Sequence, residues 1–374
     1  MDKDIIAILK GVIDPELKDN IVDLGMVKDA KKDGNLARIT VALTTAGCPL
    51  RQQIKSDVER KVSLLDDIDD VKVTFDVLNA EEKRKLMDTA RKNARDNAVP
   101  IAVSAQTRVL AIASGKGGVG KSSLTANLAA AIANQGFNVG VLDADIWGFS
   151  QGPMLGMQGR LEGEGGKIIP HEKTVGKGKL KVVSMGFLVD DDQSALMWRG
   201  LILAKAVEQF LTDVDWGNLD YLLVDMPPGT GDIQMALARL VPQSEMLVVT
   251  TPSRGAQQVA ARVGDMAQRS FMPVIGVVEN MSYFQAPDST RHNIFGEGGG
   301  KRLAKRLSTK LIAQIPIEPE MTDANAKGEP LVLNDNSATA KALNELATKL
   351  TEEICPPVQL ATCTAHLSEL LENL

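Results

Sequence analysis

The chain has 374 residues, 44% of them hydrophobic and only 3% aromatic, with a formal net charge of −6. That length exceeds one small core and predicts two domains, and a core short of aromatics must be aliphatic, as buried α/β strands are. The acidic balance argues against nucleic acid as a partner, because such binding needs a basic surface to displace counterions.

The three cysteines, Cys48, Cys355 and Cys363, are an odd and sparse set. They argue for a reducing compartment and against a disulfide framework. Met1-Asp2-Lys3-Asp4 leads into an amphipathic pattern rather than the apolar segment of a signal peptide. No apolar run approaches the roughly 18 residues of a membrane span. The expectation is a cytoplasmic protein with no stable membrane association.

Residues 1–80 read as a small α+β domain. Ile5, Ile8, Leu9 and Val12 recur at helical spacing, and Asp14-Pro15 is expected to end that helix, since proline disfavours helical geometry in the residue before it. Ala37 to Leu43 reads as a strand, Gly47-Cys48-Pro49 breaks the chain, and a helix follows from about residue 50 to 64. Val71 to Val77 alternates strictly and is a second strand. Residues 81–105 read as a helix and linker whose cations, Lys83 to Lys85, Arg91, Lys92 and Arg95, form a solvated face.

The second domain spans 106–350 and is followed by a tail, 351–374. Val109 to Ala113 is an apolar strand, and residues 121–134 form a helix with Leu124, Leu128 and Ile132 on one face, closed near Gly136. Further strands are read at 139–142, 221–224, 246–250 and 274–278. Strands alternating with helices predict an α/β fold with a doubly wound, mostly parallel sheet. The glycine patches at 163–166 and 298–300 read as turns or loops.

Gly115 to Ser122 fits G-x-x-x-x-G-K-S between a strand and a helix, the context a phosphate-binding loop needs. Glycines let successive N–H groups of Gly115, Lys116, Gly117, Gly118, Val119 and Gly120 curl toward one phosphate, and the helix N-terminus adds partial positive charge. Lys121 would neutralise β/γ-phosphate oxygens, and the Ser122 hydroxyl would ligate Mg²⁺ of a bound ATP. Asp225 ends the strand Tyr-Leu-Leu-Val-Asp, the placement of the acid that holds Mg²⁺. Gly229 is a candidate hinge in the loop after it, and Asp232 reads best as the N-cap of the next helix. Asp143 and Asp145 end another strand and face the ligand crevice at the sheet's C-terminal edge, Asp143 as support for Lys121 or for the metal shell.

Lys-Gly-Gly-Val-Gly-Lys-Ser-Ser, from Lys116 to Ser123, resembles the deviant phosphate loop of the class containing MinD, ParA, the nitrogenase iron protein and the Mrp/ApbC proteins. The resemblance implies an ATPase that dimerises across its nucleotides, with Lys116 contacting the partner's nucleotide, Asp145 near the attacking water and Asn280 of Glu-Asn-Met reading the adenine edge. Asp145-Ile-Trp-Gly-Phe-Ser150, Trp198-Arg199-Gly200, Asp225 to Asp232 and Glu279 to Phe284 together resemble the Mrp/ApbC iron–sulfur cluster carriers. Asp14 to Leu17, Ile21 to Met26 and Thr44 to Pro49 look like the small iron–sulfur-maturation domain often fused ahead of them. The implied function is loading of clusters onto apo iron–sulfur proteins as clients.

One departure stands out. The family's Cys-x-x-Cys is expected after Asn-Met-Ser-Tyr-Phe, where this chain reads Gln285-Ala286-Pro287-Asp288. Cluster iron prefers thiolates, usually four. Cys48, in a Gly-Cys-Pro turn before a helix, is the candidate that takes part in cluster handling. His292 is an extra ligand candidate, against the blander reading of a surface-loop histidine, and Cys355 and Cys363 read as ordinary helix or tail residues. A MinD/ParA-like positioning switch and a scaffold that has lost cluster binding stay open as alternatives. The first needs a basic surface or a membrane-binding tail, and residues 366–374 are acidic.

Overall fold

The structure is a computed structural model that describes residues 1–14, 19–44, 50–65, 67–96, 101–145, 148–188, 200–229, 231–286, 288, 290–334 and 337–358. The expectations placed on Cys48, Trp198, Arg199, Cys363 and the tail 366–374 lie outside the described residues. The chain divides into two units, Met1–Asn97 and Ala98–Leu374.

The first unit runs α1 (Lys3–Leu9), β1 (Val27–Asp33), β2 (Leu36–Leu43), α2 (Arg51–Val62), β3 (Asp70–Val77) and α3 (Ala80–Asp96). β1 and β2 are antiparallel, whereas β2 and β3, joined through α2, are parallel. Asp2 caps α1 by accepting from the backbone N–H of Asp4 at 3.0 Å and of Ile5 at 3.2 Å. The helix ends at Leu9, ahead of the expected Asp14-Pro15 boundary, so Val12 reaches the core from the following turn and not from the helix face. β1 has no sequence forecast because it is an edge strand whose last three residues, Lys-Lys-Asp, are exposed and carry no apolar alternation.

The second unit opens with β4 (Arg108–Ser114), α4 (Lys121–Asn134), β5 (Asn138–Asp143), α5 (Gln151–Met154), β6 (Glu162–Glu164), β7 (Lys167–Ile169), β8 (His171–Val175) and β9 (Gly178–Ser184). It continues with α6 (Gly200–Asp213), β10 (Tyr221–Asp225), α7 (Asp232–Leu240), β11 (Glu245–Thr250), α8 (Arg254–Arg269), β12 (Val274–Glu279), β13 (Phe284–Gln285) and β14 (Arg291–His292). It closes with α9 (Gly299–Arg306), β15 (Leu311–Gln314), α10 (Glu320–Lys327), α11 (Leu331–Asn334) and α12 (Ala338–Lys349). Gly165-Gly166 is the turn between strands β6 and β7, and Gly298 is the N-cap of α9.

Eight strands form one sheet in the order β15-β12-β11-β4-β10-β5-β9-β8. All neighbours are parallel except the edge pair β8–β9. Strand side chains alternate between faces. Val109, Ala111 and Ala113 of β4 pack with Phe210 of α6, Leu237 of α7, Ala260 of α8 and Leu303 of α9. Leu110 and Ile112 pack with Leu128 of α4 and Leu343 of α12 on the other face. This is the doubly wound, mostly parallel sheet that the strand–helix alternation predicts. From β4 the chain builds first toward β5 and β9, then places β10 beside β4 and crosses to β11 on its other side. The C-terminal end of β4 is therefore a switch point, where open α/β sheets form a ligand crevice. Among the described residues no helix is long and apolar enough to cross a membrane.

Candidate functional site

β4 ends at Ser114 and α4 begins at Lys121, so the six residues between them form a loop at the switch point. A Cβ meets other atoms at two of its glycines, backbone at Gly115 and a side-chain end at Gly120. A Cβ on Gly115 would lie 2.2 Å from the backbone N of Ala260 on α8, and one on Gly120 would lie 2.2 Å from Asn280 Nδ2. Gly120 also holds φ at 77°, in the left-handed region. As N-cap of α4 it brings no side-chain acceptor, so the helix's first N–H groups remain available to an anion. Above them lies a cavity of about 280 Å³, lined by the loop, Ser122, Ser123, Asp145, Ser150, Met154 and Pro228.

The period of two along parallel strands brings the acids to this loop. On β10, Tyr221 and Leu223 face α4, and Asp225 follows in the same phase. On β5, Val139 and Val141 face α4, and Asp143 follows. Asp225 pairs in register with Asp143, and Asp143 with Ser184 at the end of β9. A row of buried polar side chains thus crosses three strand ends beneath the N-terminus of α4.

Lys121 is buried and its ammonium forms a close ion pair with Asp225 Oδ1. Its Nζ is also 3.7 Å from Asp145 Oδ2 and 3.4 Å from Ser122 Oγ. Thr125, one turn along α4, donates to Asp225 Oδ1 at 3.4 Å. Burial pushes the Asp145 carboxyl up, and Lys121 opposes that shift. Ser122 and Asp225 offer hydroxyl and carboxylate oxygens, hard donors of the kind magnesium takes alongside phosphate and water, so the residues present fit that ion. The side chain of Lys116 is exposed at the mouth of the loop.

Of the two supports expected of Asp143, the one toward Lys121 is replaced by bonds to the backbone that follows β5. Asp143 accepts from the backbone N–H of Asp145 at 3.2 Å, Ser150 at 2.9 Å and Gln151 at 3.1 Å, and from Ser184 Oγ at 3.1 Å. It ties the N–H groups of Asp145, Ser150 and Gln151 to the end of β5, while the Lys121 ammonium goes to Asp225. Burial first, and the neighbouring Asp225 second, push the Asp143 carboxyl up to about 7. Asp232 is not the N-cap expected of it. Gly231 is the N-cap of α7, and Asp232 is already the first helical residue, where its charge favours the N-terminal end of the dipole.

Asn280 follows β12 and donates from Nδ2 to Val119 O at 2.9 Å, so it touches the loop directly. A primary amide keeps a second N–H and its carbonyl for a ligand. Glu279 beside it is buried, accepting from Ser282 Oγ at 2.7 Å, Gln314 Nε2 at 2.8 Å and the backbone N–H of Gly300. It ties the ends of β12 and β15 to the start of α9. The sequence offered no sign of this job, nor of Gln151. Gln151 is wholly buried, and its Nε2 donates to Asp225 Oδ2 at 2.8 Å and to Ser122 O at 3.0 Å.

Where the Cys-x-x-Cys was expected there is a short hairpin of β13 and β14, with the Ala286 N–H donating to Thr290 O at 2.9 Å. His292 is exposed on it, its ring centroid 6.5 Å from that of Phe284. Cys355 is buried; its thiol lies 3.3 Å from Glu245 Oε2, and burial pushes its pKa far up. Among the described residues no group of three or more His, Cys, Asp or Glu side chains is placed to hold a metal ion by itself.

The profile of the family described as NUBPL iron-transfer P-loop NTPase matches residues 105–351, and that of the iron-sulfur cluster assembly protein family matches residues 2–75. The iron-sulfur cluster carrier protein of Mycobacterium tuberculosis is 43% identical over 349 residues, covering 90% of this chain and 89% of that protein. The protein of the same name from Synechocystis is 39% identical over 357 residues, covering 94% and 97%. A solved nucleotide-binding protein from Archaeoglobus fulgidus, in complex with ADP, is 34% identical with a TM-score of 0.52, covering 64% of this chain and 90% of that one.

Proposed function

The chain belongs to the NUBPL-type iron-transfer P-loop NTPases, and on that premise we propose that it is a Mg-ATPase that carries iron–sulfur clusters to apo-proteins. The observation that carries the nucleotide part is the buried Lys121–Asp225 pair under an open helix N-terminus at the switch point of the sheet. A buried ammonium held by carboxylates is a cation in store for phosphate. On ATP binding, the Lys121 Nζ would move from Asp225 to the β/γ-phosphate oxygens, while loop N–H groups from Gly115 to Gly120 and the hydroxyl of Ser123 hold the phosphates in place. Asp225 and Ser122 would then hold magnesium, which would supply positive charge to the transferring phosphoryl group.

Asp145, at the mouth of the crevice with a carboxyl pushed up by burial, orients the attacking water. Asn280 reads the adenine edge with the amide atoms not engaged by the loop. Lys116, exposed at the rim, crosses to the nucleotide of a second copy and makes hydrolysis depend on the dimer. Turnover is slow in consequence, because a single copy's site is incomplete.

The cargo is an iron–sulfur cluster, and Cys48 is the residue assigned to handling it. One observation favours a second reading, a scaffold that keeps the ATPase and holds no cluster: the 284–292 hairpin offers an exposed histidine and no thiolate among its described residues. Anaerobic reconstitution with iron and sulfide, followed by iron counting, separates the two. The carrier reading expects bound cluster in the wild type and less in Cys48→Ser. No bound iron in the wild type supports the scaffold, and equal iron in both chains removes Cys48 from the site.

A further inference from the structure

Gln151 is the first residue of the four-residue helix α5. It is fully buried, yet polar. Its two amide hydrogens go to two acceptors that belong to different elements: the carboxylate of Asp225 on β10 and the backbone carbonyl of Ser122 on the first turn of α4. Its own backbone N–H goes to a third, the carboxylate of Asp143 on β5. The amide orientation follows from the partners. Turned over, the Oε1 atom would face a carboxylate and a carbonyl, two acceptors with no hydrogen between them. Set as it is, Oε1 is buried with no hydrogen-bond partner. A buried acceptor without a donor is a standing cost, which an apolar side chain of similar volume would not incur. The amide therefore has to be explained by what its N–H groups hold.

What they hold are the two residues assigned to magnesium. Asp225 has one oxygen on Lys121 and the other on Gln151. When Lys121 leaves for phosphate, the Gln151 bond is the one of these two that still fixes the rotation of the carboxylate. The same amide fixes that carboxylate's distance from Ser122. We propose that Gln151 is a positioning residue for the magnesium ion: it clamps Asp225 to the Ser122 turn so that the carboxylate and the hydroxyl present their oxygens together. Its backbone bond to Asp143 also joins this clamp to Asp145, whose N–H the same carboxylate accepts.

The proposal rests on the Mg-nucleotide reading, and the test separates the two. Thermal unfolding of the full chain is followed with ADP in excess EDTA, then with ADP and increasing Mg²⁺. In the wild type, ADP alone raises Tm and Mg²⁺ adds a further rise. Gln151→Met, which keeps the volume and removes the N–H groups, should retain the rise from ADP alone. Its Mg²⁺ half-point should move up about 10–100-fold, as expected when a group that orients a metal ligand is lost. Binding of Mn²⁺ to the ADP complex, read by electron paramagnetic resonance, should weaken by the same factor. A half-point within about twofold of the wild type in a folded Gln151→Met overturns the proposal. Should Gln151→Met not fold, Gln151→Asn, which keeps the amide but shortens its reach, takes its place. An unmoved half-point there also overturns the proposal. A wild-type chain with no ADP shift sinks the nucleotide reading and the clamp with it.

Discussion

Asp143 and Asp225 face each other in register on adjacent parallel strands, both fully buried, and only Asp225 has a lysine against it. Two like charges this close in a dry site cannot both be cheap. The Lys121 ammonium lies against Asp225. Asp143 receives three backbone N–H groups and a hydroxyl, and its carboxyl is still pushed up to about 7, by burial first and Asp225 second.

A pH dependence of stability follows. The folded-state pKa of Asp143 lies above its ordinary value of 3.8, so between that value and about 7 the folded chain binds more protons than the unfolded one. The contribution is present in full below the unfolded pKa and is lost as pH rises through about 7. Urea midpoints of the wild type should therefore fall across this window relative to those of Asp143→Asn. Parallel curves for the two chains would show that Asp143 does not hold the proton.

Lys121→Ala should abolish ATP hydrolysis and also destabilise the nucleotide-free protein by about 3–5 kcal/mol, because it leaves a buried carboxylate without its cation. Adding Asp225→Asn should recover part of that loss in urea denaturation. Retained hydrolysis in Lys121→Ala would remove the phosphate-loop assignment.

Lys116→Ala should behave differently. The exposed side chain makes little stability contribution, so Tm and ADP binding should stay near wild type. Dimerisation in the presence of a slowly hydrolysed ATP analogue, followed by sedimentation, should be lost or weakened. An unchanged dimer would exclude the bridging role.

Gly115→Ala should lower stability by about 1–3 kcal/mol or more, since its Cβ would drive into the backbone of α8 and neither side of that contact is a flexible side-chain end. Gly120→Ala adds left-handed strain and a collision with Asn280, so it should weaken nucleotide binding as well as stability. Calorimetric titration with ADP, compared between the two variants, tests the difference.

Cys355 should resist alkylation by iodoacetamide at pH 8 in the native chain and react once urea unfolds it, because burial and Glu245 keep the thiol protonated. Mass spectrometry of digested samples reads this directly. Rapid native labelling at Cys355 would contradict its burial.

The glycine-rich loop, its strand–loop–helix setting, the parallel sheet and the acid that ends β10 were legible in the residues alone. Each is local in the chain: glycines at fixed offsets, apolar runs that end in an acid, and helical spacing from Lys121 to Asn134. The absence of a Cys-x-x-Cys after Phe284 was likewise plain from the residues. Edge strands such as Val27–Asp33 escaped because exposed, charged strands carry no apolar period. What the polar residues at the strand ends do depends on packing between strands. Register across β9, β5 and β10 lines up Ser184, Asp143 and Asp225, with Asp143 bonded to the N–H groups of Asp145, Ser150 and Gln151 and Asp225 to the lysine. Gln151 becomes a clamp only because a short helix lays its side chain between β10 and α4. Such roles depend on distances between residues far apart in the chain, which no local pattern encodes.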